Sequence, residues 1–256
     1  MPTGWGMTTM NHDLATPADG EWVGGEPQVL VFDVNETLID FESLTPVFER
    51  IFGDPRVMRE WLGHLIMYSM SITLSGLWES FFTLGQGLLK MVGDIHGVQV
   101  TDADVEEIGQ AMRTMPAHPD VEPGLSRLTD AGFRMVTLTN SPSDPQVPSP
   151  LEHAGLAHFF EWQFTVETVR AYKPAQHVYH LVAQSLDVPP SACFMIAAHV
   201  WDTVGAQSAG YTAGYTAGLI TRPGNAPLPV RSLPQPNLVA PDLPALATQL
   251  IQAWRS

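Results

Sequence analysis

Cysteine is almost absent from this 256-residue chain, which contains Cys193 alone. A single thiol cannot build an internal disulfide framework, and this composition fits a reducing compartment, so we expect a cytoplasmic protein. Cys193 lies in an apolar run with Phe194, Met195 and Ile196. We therefore expect it to be buried packing material rather than a reactive thiol.

Basic residues are scarce too: 12 Lys and Arg face 27 Asp and Glu, and the formal net charge is −15. This balance disfavours nucleic acid and anionic membranes as partners, and an anionic substrate would need a local positive patch. No apolar run approaches the length that spans a bilayer. Residues 1–27 contain neither Lys nor Arg nor an apolar core, so they do not resemble a secretory signal and predict a disordered leader.

The most informative stretch begins with four apolar residues, Val29 to Phe32, that run without interruption into Asp33. A short continuous apolar run of this kind indicates a strand buried on both faces, as in the centre of a parallel α/β sheet. Asp33 would follow the carboxyl end of that strand, where open α/β sheets bind their ligands. The structural alternative is that Asp33 only caps a turn.

After this strand, residues 45–116 have the apolar spacing of helices rather than strands. The helices are predicted to begin at Thr45, at Asp54, at Leu77 and after the cap residue Thr101. Most of the Met and aromatic side chains in this block are expected to form its own core. We therefore expect a helical cap domain at residues 45–116.

From residue 120 onward, strand and helix patterns alternate. Strands are predicted at 135–139, 164–166, 193–197, 219–220 and 238–239, with helices between and after them. This alternation predicts an α/β fold with a doubly wound parallel sheet, formed by residues 28–44 and 117–256. The duplicated Gly-Tyr-Thr-Ala at 210–217 is too short for a solenoid unit, and we interpret it as a local loop insertion.

The segment Asp33-Val-Asn-Glu-Thr-Leu-Ile-Asp40 resembles motif I of the haloacid dehalogenase superfamily. Asp33 matches the nucleophile of that motif, and Thr37 matches the Thr four residues later. The superfamily's phosphatases have a second Asp two residues after the nucleophile as a general acid and base. Here that position is Asn35, which cannot transfer protons in that way, so the resemblance favours carbon–halogen over phosphate chemistry.

Three later segments resemble the remaining motifs in the same order: Thr139-Asn140-Ser141, Tyr172-Lys173-Pro174 and Ala197-Ala198-His199-Val-Trp201-Asp202. The resemblance implies that Lys173, one of only two lysines, pairs with Asp33, and that Asp202 pairs with Lys173. A solvated surface lysine is the alternative. Magnesium-dependent members usually have an Asp at the position of Ala198, so we expect neither a metal nor another cofactor.

Taken together, these motifs are most similar to the type II, or L-2-haloacid, dehalogenases. The resemblance implies that Asp33 attacks C2 of a short 2-haloalkanoate, and that water then hydrolyses the aspartyl ester to give a 2-hydroxy acid. The implied catalytic residues are Asp33, Thr37, Lys173, His199 and Asp202. The implied substrate-binding residues are Val34, Asn35, Trp61, Tyr68, Phe81, Thr139, Asn140, Tyr179 and Trp201. A homodimer formed largely through the cap is also expected.

Three positions depart from those enzymes. A cap Arg that follows a Trp and holds the substrate carboxylate is replaced by Leu62, which follows Trp61. The Ser and Asn of the fourth motif are Ala197 and His199. His199 could be the base for ester hydrolysis, or a hydrogen-bond donor that positions the substrate carboxylate in place of the Arg.

Two other functions remain open at this point. A magnesium-dependent phosphatase or phosphonate hydrolase of the same superfamily would lose its activity in EDTA. A non-catalytic relative would bind a small acid or a partner protein through its cap and release no halide.

Overall fold

The structure is a computed structural model that describes residues 25–144, 146–211 and 217–255. Strand β1 (Val29–Phe32) lies at the centre of its sheet and is buried along its whole length. It pairs in parallel with β2 (Met135–Thr139) on one side and with β4 (Cys193–Ala197) on the other. Both neighbours are continuous apolar runs, which is typical of strands covered on both faces.

Three further strands extend this sheet to the order β3-β2-β1-β4-β5-β6, with every pair parallel. They are β3 (Trp162–Thr165), β5 (Ala217–Ile220) and β6 (Leu238–Ala240). The predicted strand at 164–166 starts two residues later than β3 and ends one residue later. Trp162 pairs with Val136 although its side chain is exposed, and an edge strand of this kind lacks the apolar pattern that marks a buried one.

Helices cover both faces of the sheet, which confirms the predicted doubly wound α/β fold. Helix α5 (Val121–Asp130) packs against α9 (Leu243–Trp254), which also contacts β5 and β6. Helix α7 (Gln176–Ser185) packs against α8 (Val200–Ser208), which contacts β4 and β5. The short helix α6 (Pro150–His153) follows β2.

Four helices lie between β1 and α5, in the stretch where a helical cap is predicted. They are α1 (Thr45–Phe52), α2 (Val57–Leu74), α3 (Phe81–His96) and α4 (Asp102–Arg113). Helix α4 begins after the predicted cap residue Thr101, which forms a capping box: Thr101 and Asp104 exchange side chain-to-backbone hydrogen bonds. Helix α3 begins later than predicted because Ser80 caps it, its hydroxyl accepting from the backbone N–H of Thr83 at 3.1 Å.

Some predicted features fall outside the described residues. The predicted leader at 1–27 does so apart from residues 25–27, and so does most of the duplicated segment at 210–217. Within the part of the chain that the structure describes, no helix is both long and apolar enough to cross a membrane.

The strand order brings three chain segments together at one edge of the sheet. Asp33 directly follows β1, Asn140 follows β2, and His199 lies two residues after β4. The backbone N–H of Asp33 donates to the carbonyl of Ile196 at 2.9 Å, which joins the ends of β1 and β4. These segments lie far apart in sequence, yet parallel pairing makes their carboxyl ends neighbours.

Packing between α5 and α9 predicts opposite effects for two glycine-to-alanine changes. A Cβ at Gly124 would lie 2.4 Å from Cγ of Leu243, so Gly124→Ala should lower the free energy of unfolding by about 1–3 kcal/mol. The matched control is Gly87→Ala in α3, where a Cβ would have no atom within 4 Å and should stabilise the helix by about 0.5–1 kcal/mol. Urea denaturation of both variants measures these changes, and equal effects would contradict the packing described.

Candidate active site

Asp33 is the centre of the site, and its side chain is almost completely buried. Oδ1 accepts a hydrogen bond from Nζ of Lys173 at 2.8 Å, and Oδ2 accepts one from Oγ1 of Thr37 at 2.6 Å. The Thr37 hydroxyl also accepts from the backbone N–H of Ala198 at 2.9 Å, which fixes it to the end of β4. Asp33 therefore has a fixed orientation set by partners from three parts of the chain.

Burial alone would raise the pKa of Asp33, but the nearby cations Lys173 and His199 outweigh it and hold that pKa well below its usual range. The carboxyl group is therefore ionised at neutral pH although water barely reaches it. An ionised, desolvated carboxylate is the form that a nucleophilic aspartate requires.

Lys173 is completely buried, and its ammonium group donates to three acceptors. These are Oδ1 of Asp33 at 2.8 Å, Oδ2 of Asp202 at 2.6 Å and the carbonyl of Leu138 at 3.0 Å. Burial lowers the pKa of Lys173, but the two carboxylates have the larger, opposite effect, so the net shift of the pKa is upward. Lys173 is thus a permanent cation whose three N–H bonds are all in use.

Asp202 lies in the first turn of α8 behind Lys173 and is fully buried. Its Oδ1 accepts from the Tyr179 hydroxyl at 2.7 Å, while Oδ2 binds Lys173. Burial raises the pKa of Asp202 against the lowering effect of Lys173. The side chain does not line the cavity beside Asp33, so its geometry suits the orientation of Lys173 rather than contact with substrate.

His199 lies beside the other oxygen of Asp33 and stacks on the Trp201 ring, with 5.0 Å between ring centroids. Its Nε2 is 2.6 Å from Oε2 of Glu36, and its Nδ1 is 3.6 Å from Oδ2 of Asp33. Burial lowers the pKa of His199, but the two carboxylates more than offset this and raise it to about 9. An imidazolium has no free lone pair, so the structure does not favour His199 as a base at neutral pH.

Glu36 is a functional candidate that the sequence did not single out, because the motif resemblance gives no role to its position. Its carboxylate is buried and binds both His199 and the Arg59 guanidinium, which in turn pairs with Glu42. Burial raises the pKa of Glu36, but His199 and Arg59 outweigh it, so the net shift is downward. Its backbone φ of +63° is in the left-handed region that favours glycine, a strained conformation that only the structure reveals.

A cavity of about 310 Å³, part of it open to solvent, lies over Asp33. Its lining residues are Asp33, Asn35, Glu36, Leu62, Ile66, Phe81, Thr139, Asn140, His199 and Trp201. The structure therefore brings Asn35, Phe81, Thr139, Asn140 and Trp201 to the same cavity as Asp33, as the sequence predicts. A mostly apolar wall with a few convergent polar groups is typical of a small-molecule site.

Four residues predicted to bind substrate do not line this cavity. Trp61 lines a separate apolar cavity among helices α2, α3 and α4, and its Nε1 donates to the carbonyl of Gly85 at 2.9 Å. Tyr68 is partly exposed and packs on His64. Val34 is buried beside the site without lining the cavity, and Tyr179 supports Asp202 from behind.

The phase of helix α2 explains why Trp61 and Tyr68 do not line the cavity over Asp33. Trp61 and Leu65 share one helical face, whereas the cavity is lined by Leu62 and Ile66, one position further along. A shift of one residue turns the face by about 100°, and periodicity alone does not say which apolar face meets Asp33. Leu62, which follows Trp61, forms part of the cavity wall. The resemblance to the type II dehalogenases implies an Arg at this position.

The acidic groups of this cluster pair with cationic side chains. Among residues 25–144, 146–211 and 217–255, no group of three or more His, Cys, Asp or Glu side chains is arranged to hold a metal ion. The nearest carboxylates are already occupied, Asp33 and Asp202 by Lys173 and Glu36 by Arg59.

Comparison with known proteins gives a consistent family assignment. A family model described as haloacid dehalogenase-like hydrolase matches residues 27–210. The (S)-2-haloacid dehalogenase H-109 of Pseudomonas putida is 26% identical over 184 residues, which are 71% of this chain and 82% of that protein.

Solved structures show the same fold at lower identity. The L-2-haloacid dehalogenase from Xanthobacter autotrophicus with chloropropionic acid covalently bound has a TM-score of 0.77 and 22% identity, covering 88% of this chain and 98% of that one. A HAD phosphatase from Thermococcus onnurineus has a TM-score of 0.57 and 19% identity, covering 90% and 100%.

The raised pKa of His199 predicts how stability depends on pH. The pKa of His199 is about 9 in the folded protein and near 6.5 in the unfolded chain. The stability that His199 contributes is therefore complete below pH 6.5 and is lost as the pH rises to 9. The free energy of unfolding should fall across this window, by on the order of 3 kcal/mol at most. His199→Asn should flatten that part of the profile, as measured by urea denaturation at several pH values; an unchanged slope would contradict the assignment.

Proposed function

This chain belongs to the haloacid dehalogenase-like hydrolases, and we propose that it hydrolyses the carbon–halogen bond of short 2-haloalkanoic acids. The observation that carries this proposal is the buried, ionised Asp33, held by Lys173 and Thr37 beneath a mostly apolar cavity. The relative from Pseudomonas putida named above, an (S)-2-haloacid dehalogenase, supports the substrate class.

In the first step, an oxygen of Asp33 attacks C2 of the substrate in line with the carbon–halogen bond. A new C–O bond forms, and the halogen leaves as halide with the electron pair of the broken bond. The product of this step is an aspartyl ester. Lys173 keeps Asp33 ionised before the attack, because the buried carboxylate would otherwise gain a proton.

In the second step, water attacks the carboxyl carbon of Asp33 in the ester. The bond between that carbon and the ester oxygen breaks, and the ester oxygen leaves as the hydroxyl group of the product. The 2-hydroxy acid and a proton are released, and the Asp33 carboxylate is regenerated. Lys173 stabilises the negative charge that develops on the carbonyl oxygen, and Asp202 keeps the ammonium group in position. Thr37 holds the second oxygen of Asp33.

Two positions favour carbon–halogen over phosphate chemistry within this family. Asn35 occupies the place of the second acid that resembling phosphatases use, and its Nδ2 donates to Oγ of Ser141 at 2.9 Å. Ala198 occupies the place of their metal-binding acid and offers only its backbone N–H, which donates to Thr37.

We also propose that residues 45–116 act as a cap domain over the core formed by 28–44 and 117–256. Leu62, Ile66 and Phe81 of this block form the apolar side of the cavity, opposite Thr139 and Asn140 of the core. An apolar cover excludes water during the displacement, which strengthens the electrostatic interactions around Asp33.

A halide-release screen tests this proposal directly. Chloro-, bromo- and fluoro-substituted short 2-haloacids are incubated with the protein, with and without EDTA. We expect halide release from at least one acid, unchanged by EDTA, and a loss of at least about 10³-fold in Asp33→Asn, because a neutral amide is a poor nucleophile. Phosphate-ester hydrolysis that EDTA abolishes, or an Asp33→Asn variant that stays active, would contradict it.

The two lysines provide a matched pair for the same assay. Lys173→Ala should be nearly inactive, because the charge beside Asp33 is lost. Lys90→Ala removes a surface lysine that pairs with Asp102 and should behave like the wild type. Circular dichroism of both variants separates lost chemistry from lost folding.

We propose a homodimer that forms through the cap. Large apolar side chains are exposed there, with Leu74 89% and Leu77 63% accessible. Such a patch is unusual on a monomer and is typical of an interface. Light scattering at micromolar concentration should give a dimer, and a double variant, Leu74→Glu with Leu77→Glu, should give a monomer; a monomeric wild type would refute this assembly.

A cytoplasmic location is the remaining part of the proposal. Cys193 is buried and not in a disulfide, and burial raises the pKa of its thiol to about 12. A protonated, inaccessible thiol of this kind is compatible with a reducing compartment.

A further inference from the structure

We propose that Glu36 is a positioning residue that holds the His199 ring so that its free Nδ1–H binds the carboxylate of the substrate. This inference rests on the proposed 2-haloacid substrate and assigns the group that anchors it. The pair would replace the cap Arg whose place in the cavity wall is taken by Leu62.

A carboxylate bound in the cavity requires a cation within reach. Lys173 is buried behind Asp33, and all three of its N–H bonds are used. Arg59 is occupied by Glu36, by Glu42 and by the carbonyl of Pro223. Among the described residues that line the cavity, His199 is the one side chain that can carry a positive charge.

His199 has one ring nitrogen, Nδ1, whose N–H is not used in a hydrogen bond to any residue that the structure describes. Nδ1 of His199 is a buried polar atom with no hydrogen-bond partner among the described residues. A buried N–H without an acceptor is costly, so native proteins rarely leave one without a reason. The atom lies 3.6 Å from Oδ2 of Asp33, at the place where the substrate must bind for attack.

The geometry of an in-line displacement decides which substrate group Nδ1 meets. The halogen points directly away from the attacking oxygen of Asp33, whereas the carboxylate on C2 projects to the side. A donor beside that oxygen, as His199 is, can reach the carboxylate but not the departing halide. His199 is therefore suited to substrate binding rather than to stabilisation of the leaving group.

Glu36 fixes both the orientation and the charge of the His199 ring. Its Oε2 lies 2.6 Å from Nε2, so Nε2–H is used and Nδ1 is the ring nitrogen left beside Oδ2 of Asp33. Stacking on Trp201 prevents the ring from turning out of this plane. Arg59 binds the other oxygen of Glu36 and keeps that carboxylate in place.

Charge balance supports the same assignment. Two anions face the His199 ring directly, Asp33 and Glu36, while the cations Lys173 and Arg59 lie on the far sides of these carboxylates. Both carboxylates raise the pKa of the imidazole to about 9. A neutral His199 would leave the cavity surface with anions alone, which would repel the carboxylate of the substrate.

The test compares Glu36→Gln with the wild type on a 2-haloacid that the halide screen identifies and on its neutral amide. Glu36→Gln keeps a hydrogen-bond acceptor but removes the charge. We expect KM for the acid to rise about tenfold or more while kcat changes by less than about threefold, and KM for the amide to stay unchanged. In the wild type, KM for the acid should rise only above about pH 9, whereas in Glu36→Gln the rise should begin at a lower pH.

The matched control is Glu60→Gln. Glu60 also pairs with a histidine, His96, at 2.8 Å, but this pair is partly exposed and lies in the cap helices away from Asp33. The same loss of a carboxylate–imidazole pair should leave KM for both substrates unchanged. An equal effect in the two variants would overturn the assignment.

A second measurement does not depend on turnover. Calorimetric binding of the product-like 2-hydroxypropanoate should weaken about tenfold or more in Glu36→Gln and in His199→Asn, and NMR should show the His199 pKa lowered in Glu36→Gln. If no haloacid is turned over but this binding pattern appears, the proposed reaction fails and the anchor stands. Unchanged affinity in both folded variants refutes the anchor whatever the activity.

One outcome would replace the anchor with the alternative role. If His199→Asn forms the ester but cannot hydrolyse it, intact-mass spectrometry after incubation with substrate will show an adduct on the peptide that contains Asp33. Accumulated ester would make His199 the base and overturn the inference. A raised KM without adduct supports it.

Discussion

The site depends on one buried interaction, the Lys173 ammonium group between the carboxylates of Asp33 and Asp202. None of the three side chains has appreciable contact with solvent, so each charge is tolerable only because the others are present. Removing one partner would leave an uncompensated buried charge. The same ammonium group that offsets the two buried carboxylates also keeps Asp33 ionised, as the proposed attack on the substrate requires.

This interaction requires the sheet topology. Asp33 follows β1, Asp202 lies in the helix after β4, and the Lys173 side chain also reaches the carbonyl of Leu138 in β2. Parallel pairing of these strands places their carboxyl ends at one edge, where the three groups meet. The Asn140 side chain completes the arrangement by accepting from the backbone N–H of Lys173 at 3.1 Å.

A second pattern of charges surrounds the first, and it distinguishes this chain from the enzymes it resembles. Helix α2 contributes Leu62 to the cavity where the resemblance implies a cation, and a partly buried chain of ion pairs runs from Arg59 through Glu36 to His199. Among the described residues that line the cavity, His199 is the one side chain that can carry a positive charge, and it belongs to the segment after β4. That charge depends on a titratable imidazole, whereas an Arg in the same role would be permanently charged.

The sequence by itself determined the elements whose residues are buried on all sides, and the chemistry at their ends. Strands β2 and β4 were predicted with their true bounds, because continuous burial leaves an unbroken apolar pattern. The tertiary structure alone decided which face of α2 meets Asp33, because several apolar faces satisfy the same periodicity. It also decided the protonation of His199, since Glu36 is distant in sequence and acts only when folding brings its carboxylate to 2.6 Å from the ring. Local patterns record burial along one element, whereas contacts between elements and the charges they create exist only in three dimensions.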